Sequence, residues 1–157
     1  MKVYRIALKE YIYDLSGAGA IKFGARWHFQ GIPIIYTSEN RALASLEYLV
    51  HVPIPLIPPN LKIATVEIPD DIVPREISIS DLPGNWRDYP APTELGRLGT
   101  NWAKSKESLL LRVPSAIILH EYNLLINPIY QDIKRVTIKE VENFKFDERM
   151  VKKYYRF

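Results

Sequence analysis

The chain has 157 residues, 47% hydrophobic and 25% charged, the balance of a soluble globular protein large enough to build its own core. Cysteine is absent, which excludes a disulfide scaffold, a thiolate zinc site, an iron–sulfur cluster and a cysteine nucleophile. The formal net charge of +3 permits an anionic partner without selecting one, and no apolar run reaches the roughly 20 residues of a membrane-spanning helix.

The chain opens Met1-Lys2-Val3-Tyr4-Arg5, charged early and without a signal-peptide core, so a cytoplasmic protein is expected. Lys2–Leu8 alternates Val3, Arg5 and Ala7 with Tyr4, Ile6 and Leu8 and predicts a first strand. Residues 16–25 form a Gly-rich loop. Its Gly17-Ala18-Gly19 fails as a dinucleotide fingerprint, because Lys22 stands where the third glycine belongs. Pro33–Thr37 predicts a short apolar strand. Ser38 then serves as the N-cap of a predicted helix over 39–51, with Glu39 in its first turn. On that helix Leu43, Leu46, Leu49 and Val50 form the apolar side, and Glu47 sits at its edge. Pro53, Pro55, Pro58 and Pro59 make 52–60 a non-helical crossing.

Leu61–Ile68 predicts a strand. Pro83, Pro90 and Pro92, with Gly84 and Asn85, mark 81–93 as a loop. Leu95–Glu107 predicts a helix. Ser108–Leu111 and Ala116–Glu121 predict strands on either side of Val113-Pro114-Ser115. Tyr130–Thr137 reads as a strand or a loop running into one, and 147–156 as a terminal helix carrying Arg149, Lys152, Lys153 and Arg156 on a solvated face. The irregular mix is α+β, and it argues against a doubly wound parallel sheet. No boundary divides the chain, so 1–157 is taken as one domain.

Several catalytic patterns are missing. There is no P-loop. His120-Glu121 begins like a zincin helix, but Leu124 stands where the second ligand would be. Ser115 lies in Val-Pro-Ser-Ala, not in a Gly-x-Ser-x-Gly elbow.

Four residues remain conspicuous. Glu47 either reaches solvent, pairs with a cation or is aimed into a cleft. Arg26, between Gly24-Ala25 and Trp27, either packs on Trp27 or presents its planar fork to a phosphate pair. Tyr36 ends a buried strand, where its ring belongs to the core or stacks on a planar ligand. Arg5 in the first strand is either edge-exposed or paired with an anion. Together they suggest a site for a polyanionic ligand with an aromatic base, and a nucleotide fits.

The segments Gly24-Ala25-Arg26-Trp27, Ile35-Tyr36-Thr37-Ser38 and Ala44-Ser45-Leu46-Glu47 resemble the RES domain family. Asn101-Trp102, Leu111-Arg112-Val113-Pro114-Ser115-Ala116, Asn123-Leu124-Leu125-Ile126-Asn127-Pro128 and Phe146-Asp147-Glu148-Arg149 continue the match in order. The sequence departs from the family pattern at Ala25, which replaces a glycine, at His28, which replaces an asparagine, and at Tyr130-Gln131, which replace the His-Pro of Asn-Pro-x-His-Pro.

The resemblance implies an ADP-ribosyltransferase-like fold, with mixed or antiparallel sheets and flanking helices. It implies the toxin of a bacterial toxin–antitoxin module that cleaves the nicotinamide–ribose bond of NAD+ by hydrolysis or phosphorolysis. NAD+ would be the substrate, with no bound cofactor and no metal. The partner would be an Xre-type helix-turn-helix antitoxin, with DNA reached only through it, no membrane, and a homodimer compatible with the complex. Carried over residue by residue, Glu47 stabilises the developing cation, Arg5 and Arg26 hold the pyrophosphate, Tyr36 holds the nicotinamide ribose, and Ser115 orients Glu47 or the ribose. Asn127 joins the NAD-binding set. The alternatives are an ADP-ribosyltransferase acting on a cellular protein and, more remotely, a non-enzymatic nucleic-acid-binding module.

Overall fold

The computed structural model describes residues 1–152. Strands β1 (Lys2–Leu8), β2 (Ile35–Ser38), β3 (Leu61–Glu67), β4 (Arg75–Glu76), β5 (Leu110–Pro114), β6 (Tyr122–Ile126) and β7 (Thr137–Asn143) form one sheet in the order β4-β5-β6-β2-β1-β3-β7. Every pairing is antiparallel except β4 with β5. Helices α1 (Ala18–Lys22), α2 (Arg41–His51), α3 (Thr93–Ser105) and α4 (Glu148–Val151) complete the fold, so the α+β expectation holds.

Both faces of the sheet centre are covered. Leu110, Leu124 and Ile126 join Val3, Ile35, Ala64 and Val66 in one apolar cluster. Their chain neighbours Leu111 and Leu125 point the other way, into a cluster with Trp27, Trp86, Leu95 and Trp102. The period-2 geometry of a strand puts adjacent leucines on opposite faces, which explains why β5 and β6 read as continuous apolar runs. Gly99 lets α3 lie against this second cluster: a Cβ there would stand 1.8 Å from the Trp27 carbonyl oxygen.

The sheet weakens where the site lies. β1 pairs with β3 along its whole length, but with β2 only at Tyr4–Ser38. Beyond that pair the strands part, and Arg5 and Ile6 on one side and Tyr36 and Thr37 on the other line an open cleft.

Some elements differ from the sequence reading. α2 is capped by Asn40, whose side chain accepts from the Leu43 amide at 2.7 Å. Ser38 instead ends β2, and Glu39 pairs with Arg112. Residues 116–121 are not a strand. The Ser115 hydroxyl accepts the amides of Ile117 and Ile118 at 3.1 Å each, and His120 adopts φ 67°, so the apolar run folds into a turn. The strand follows it, as β6. Gln131–Arg135 is a 3₁₀ turn, and β7 lies beyond the expected 130–137 segment. The Gly-rich loop contains the short α1, and α3 begins and ends two residues early relative to the expected 95–107. The expected terminal helix forms only over Glu148–Val151, and Lys153 and Arg156 fall outside the described residues.

Candidate active site

The cleft between β1 and β2 has a volume of about 300 Å³. α2 lies against both strands and presents Ala44, Glu47, Tyr48 and His51 to it. These are positions i, i+3, i+4 and i+7 of one helical face. Tyr4 and Arg5 from β1, Tyr36, Thr37 and Ser38 from β2, and Asn123 from β6 complete most of the lining.

Glu47 is the organised anion of the cleft. Its Oε1 accepts from Ser115 Oγ at 2.8 Å and from Asn123 Nδ2 at 2.5 Å. The two donors come from the turn after β5 and from the start of β6, so sheet and helix converge on one oxygen. No described residue donates to Oε2. Of the residues singled out in the sequence, Arg5, Tyr36 and Glu47 therefore share the cleft, and Ser115 is bonded to Glu47.

Tyr36 is fixed through its hydroxyl by His28. His28 Nε2 faces the carbonyls of Ala20 and Phe23, each at 2.9 Å. Two acceptors there require the ring proton on Nε2, which makes Nδ1 of the neutral ring an acceptor. The Tyr36 hydroxyl then donates to Nδ1 at 2.7 Å. Burial pushes the phenol far above its ordinary range, the Glu47 charge adds to this, and the Trp27 amide opposes it. Tyr36 is a neutral phenol at any physiological pH. His28, one of the departures from the family pattern, is thus the residue that ties Tyr36 to the Gly-rich segment.

The arginines are anchored by backbone carbonyls. Arg5 donates to the carbonyls of Asp14 and Tyr11, which pins the loop after β1 beside the cleft. Burial lowers its pKa, and the Asp14 charge offsets part of that. Arg26 donates to the carbonyls of Trp86 at 2.6 Å and Asp88 at 3.1 Å. Burial lowers the pKa of Arg26 too, Glu47 and Asp88 raise it, and the neighbouring Arg87 lowers it. Arg26 thus lies within the electrostatic reach of Glu47, at the edge of the cleft rather than in its lining.

Asn127 is the correction. It is fully buried, donates to the Ala103 carbonyl at 2.9 Å and accepts the Ile129 amide, so it fastens α3 and the turn after β6. Its side chain is spent on that junction and does not reach the cleft. Sequence reasoning overlooked Asn123, Tyr48, His51 and Arg87. The i+1 and i+4 spacing from Glu47 could have marked Tyr48 and His51, and a lone polar residue entering an apolar run could have marked Asn123. Arg87, which donates to the carbonyls of Ala116 and Ile117, left no sequence signal.

The family model described as the RES domain matches residues 2–147. A protein of Sphingobium sp. (strain YBL2) named Prs ADP-ribosylating toxin is 39% identical, with 96% of each chain covered. A protein of Yersinia enterocolitica named Toxin Res is 35% identical, covering 96% of this chain and 99% of its own. Among solved structures, a chain of the M. tuberculosis MbcT–MbcA toxin–antitoxin complex shares the fold with a TM-score of 0.70 at 15% identity, over 92% of this chain and 84% of that one.

Proposed function

The chain belongs to the RES domain family, and on that premise we propose that it is the toxin of a toxin–antitoxin module and consumes NAD+ by breaking the nicotinamide–ribose bond. One observation carries the reading. In the cleft a single carboxylate is held through one oxygen, and its other oxygen takes no bond from any described residue, within reach of guanidinium charge.

The chemistry suits that arrangement. Departure of neutral nicotinamide from a cationic ring needs little acid assistance, so the barrier lies in the oxocarbenium character of the ribose. A fixed carboxylate placed where positive charge develops lowers that barrier without reorganising. Glu47 is that group, its Oε2 directed at the ribose. Arg5 and Arg26 balance the pyrophosphate, and the wall of Tyr36 bounds the nicotinamide ribose. Ser115 acts through Glu47. Water or phosphate then captures the anomeric carbon opposite or beside the carboxylate, giving ADP-ribose or its 1-phosphate and free nicotinamide.

Transfer of ADP-ribose to a protein is the second reading, favoured by the name of the Sphingobium relative. The two share every step up to capture of the cation. The partner is an antitoxin of the Xre helix-turn-helix type that brings the pair to DNA. The toxin names of the relatives and the solved complex of the same fold support an antitoxin partner.

The test is mass spectrometry of NAD+ incubated with the purified protein, with and without phosphate, beside Glu47→Gln. The amide oxygen of glutamine keeps both donors satisfied, so this variant is expected to fold, bind NAD+ and lose turnover by at least about a hundredfold. Wild-type turnover in Glu47→Gln would refute the assignment, and intact NAD+ with the wild type under both conditions would refute consumption without a protein acceptor.

A further inference from the structure

Building on that reading of Glu47, we propose that Asn123 and Ser38 are positioning residues that hold the Glu47 carboxylate in one orientation, with one oxygen left for the ligand. Ser38 Oγ lies 2.6 Å from Asn123 Oδ1, and Asn123 Nδ2 lies 2.5 Å from Glu47 Oε1. The direction of this chain is forced. A flipped Asn123 amide would set its carbonyl oxygen against a carboxylate oxygen at contact distance, two acceptors with no proton between them. The NH2 group must therefore face Glu47, the carbonyl must face Ser38, and the Ser38 hydroxyl must donate. Ser115 is polarised in the same sense. Its oxygen already accepts the Ile117 and Ile118 amides, so its proton goes to Glu47.

The consequence is specific to one oxygen. Both donors converge on Oε1 from separate segments, and their combined direction fixes rotation of the carboxylate about its last bond. Ser115 alone would leave that rotation open. Ser38, Ser115 and Asn123 are all at most 9% exposed, so these donors are largely shielded from solvent. Charge-assisted bonds in such a setting are about twice as strong as neutral ones. Oε2 remains as the oxygen presented to the ribose. Ser38 makes no hydrogen bond to Glu47, so its hydrogen-bonded link to the carboxylate runs through Asn123.

The experiment measures kcat and KM for NAD+ with Asn123→Ala, Ser38→Ala and the double variant, each checked for folding by circular dichroism. Asn123→Ala is expected to lower kcat by about tenfold to a hundredfold, the effect of a reacting group misplaced by about an ångström, with KM within about twofold. Ser38→Ala should lose less. The double variant should be no worse than Asn123→Ala, because residues acting in series are not additive. Unchanged kcat in Asn123→Ala, or losses that multiply in the double variant, would overturn the proposal.

A second readout is independent of turnover. In ¹³C,¹⁵N-labelled protein the Asn123 side-chain NH2 resonance, assigned through its own side-chain carbons to the Asn123 backbone, should shift when Glu47→Gln removes the charge it donates to. A resonance unmoved by Glu47→Gln overturns the positioning role whatever the kinetics, and it serves equally if Asn123→Ala does not fold. If the resonance shifts but the wild type leaves NAD+ intact, the functional reading fails while the hydrogen-bonded chain stands.

Discussion

Gly99→Ala sets two magnitudes against each other. Gly99 lies in the interior of α3, where alanine is favoured over glycine by about 1 kcal/mol. The added Cβ, however, would stand 1.8 Å from the Trp27 oxygen and 2.8 Å from its carbonyl carbon. Real Cβ contacts essentially never fall below 3.0 Å, so helix and loop must separate by more than about an ångström. The obstacle is backbone, flanked by the buried Trp27 ring and by α3 residues Leu95 and Trp102, so no rotamer change relieves it. Overpacking of this kind costs roughly 1–3 kcal/mol when side chains can yield, and a backbone clash belongs at or above the top of that range. The expected net loss is about 2 kcal/mol or more. For a chain of this size that lowers Tm by roughly 4–8 °C. The displacement also shifts Arg26, the chain neighbour of Trp27, so KM for NAD+ should rise even where the variant is folded. Differential scanning calorimetry and steady-state kinetics measure both effects. A Tm equal to or above that of the wild type would show that helix propensity wins and that the close approach of α3 to the loop is not a packing constraint.

Two further perturbations address the cleft. Arg26→Ala should raise KM for NAD+ by at least about tenfold and free the 82–92 segment to limited proteolysis, since it removes the donor to the Trp86 and Asp88 carbonyls; Arg26→Lys should not rescue it, because an ammonium cannot reproduce the planar fork. An unchanged KM in Arg26→Ala would remove Arg26 from the substrate contacts. The buried Tyr36 phenol gives a pH dependence of definite sign. Its folded pKa is raised above the unfolded value near 10, so above about pH 10 the unfolded chain releases a proton that the folded one retains, and stability falls with rising pH. The slope contributed by this group approaches about 1.4 kcal/mol per pH unit, and Tyr36→Phe should remove it from urea unfolding measured between pH 9 and about 11. Identical slopes in wild type and variant would show that the phenol is not withheld from solvent.

Much of the fold could be read from local patterns. β1 alternates cleanly and was expected over the residues it occupies, and α2 announces itself by its apolar side. The errors fall where a local pattern met a stronger tertiary claim. Ser38 has the chemistry of a helix cap, but its hydroxyl is bound to Asn123 across the sheet, and Asn40 caps instead. The run Ala116-Ile117-Ile118-Leu119 has strand composition, but Ser115 gathers its amides into a turn and leaves Leu119 about half exposed. β7 is an edge strand rich in Lys and Glu, and it carries little apolar signal to detect.

The site divides in the same way. Glu47 was conspicuous because a carboxylate at the edge of an apolar helix face requires a partner. Nothing in its own segment names that partner. The donors to Oε1 lie 68 and 76 residues away in sequence, and they meet only because β5 and β6 pair antiparallel and the turn between them closes on Ser115. The open cleft itself depends on a missing feature, the failure of β1 and β2 to pair beyond Tyr4–Ser38. Composition and periodicity report where hydrogen bonds form within an element. They do not report where two strands decline to form them, and here that gap gives Glu47 a cleft to face. The buried chain from Ser38 through Asn123 then turns an exposed-looking carboxylate into a directed one. The orientation of Glu47 is thus a property of sheet topology, and variants that disturb the β5–β6 turn should affect turnover even when every cleft-lining residue is retained.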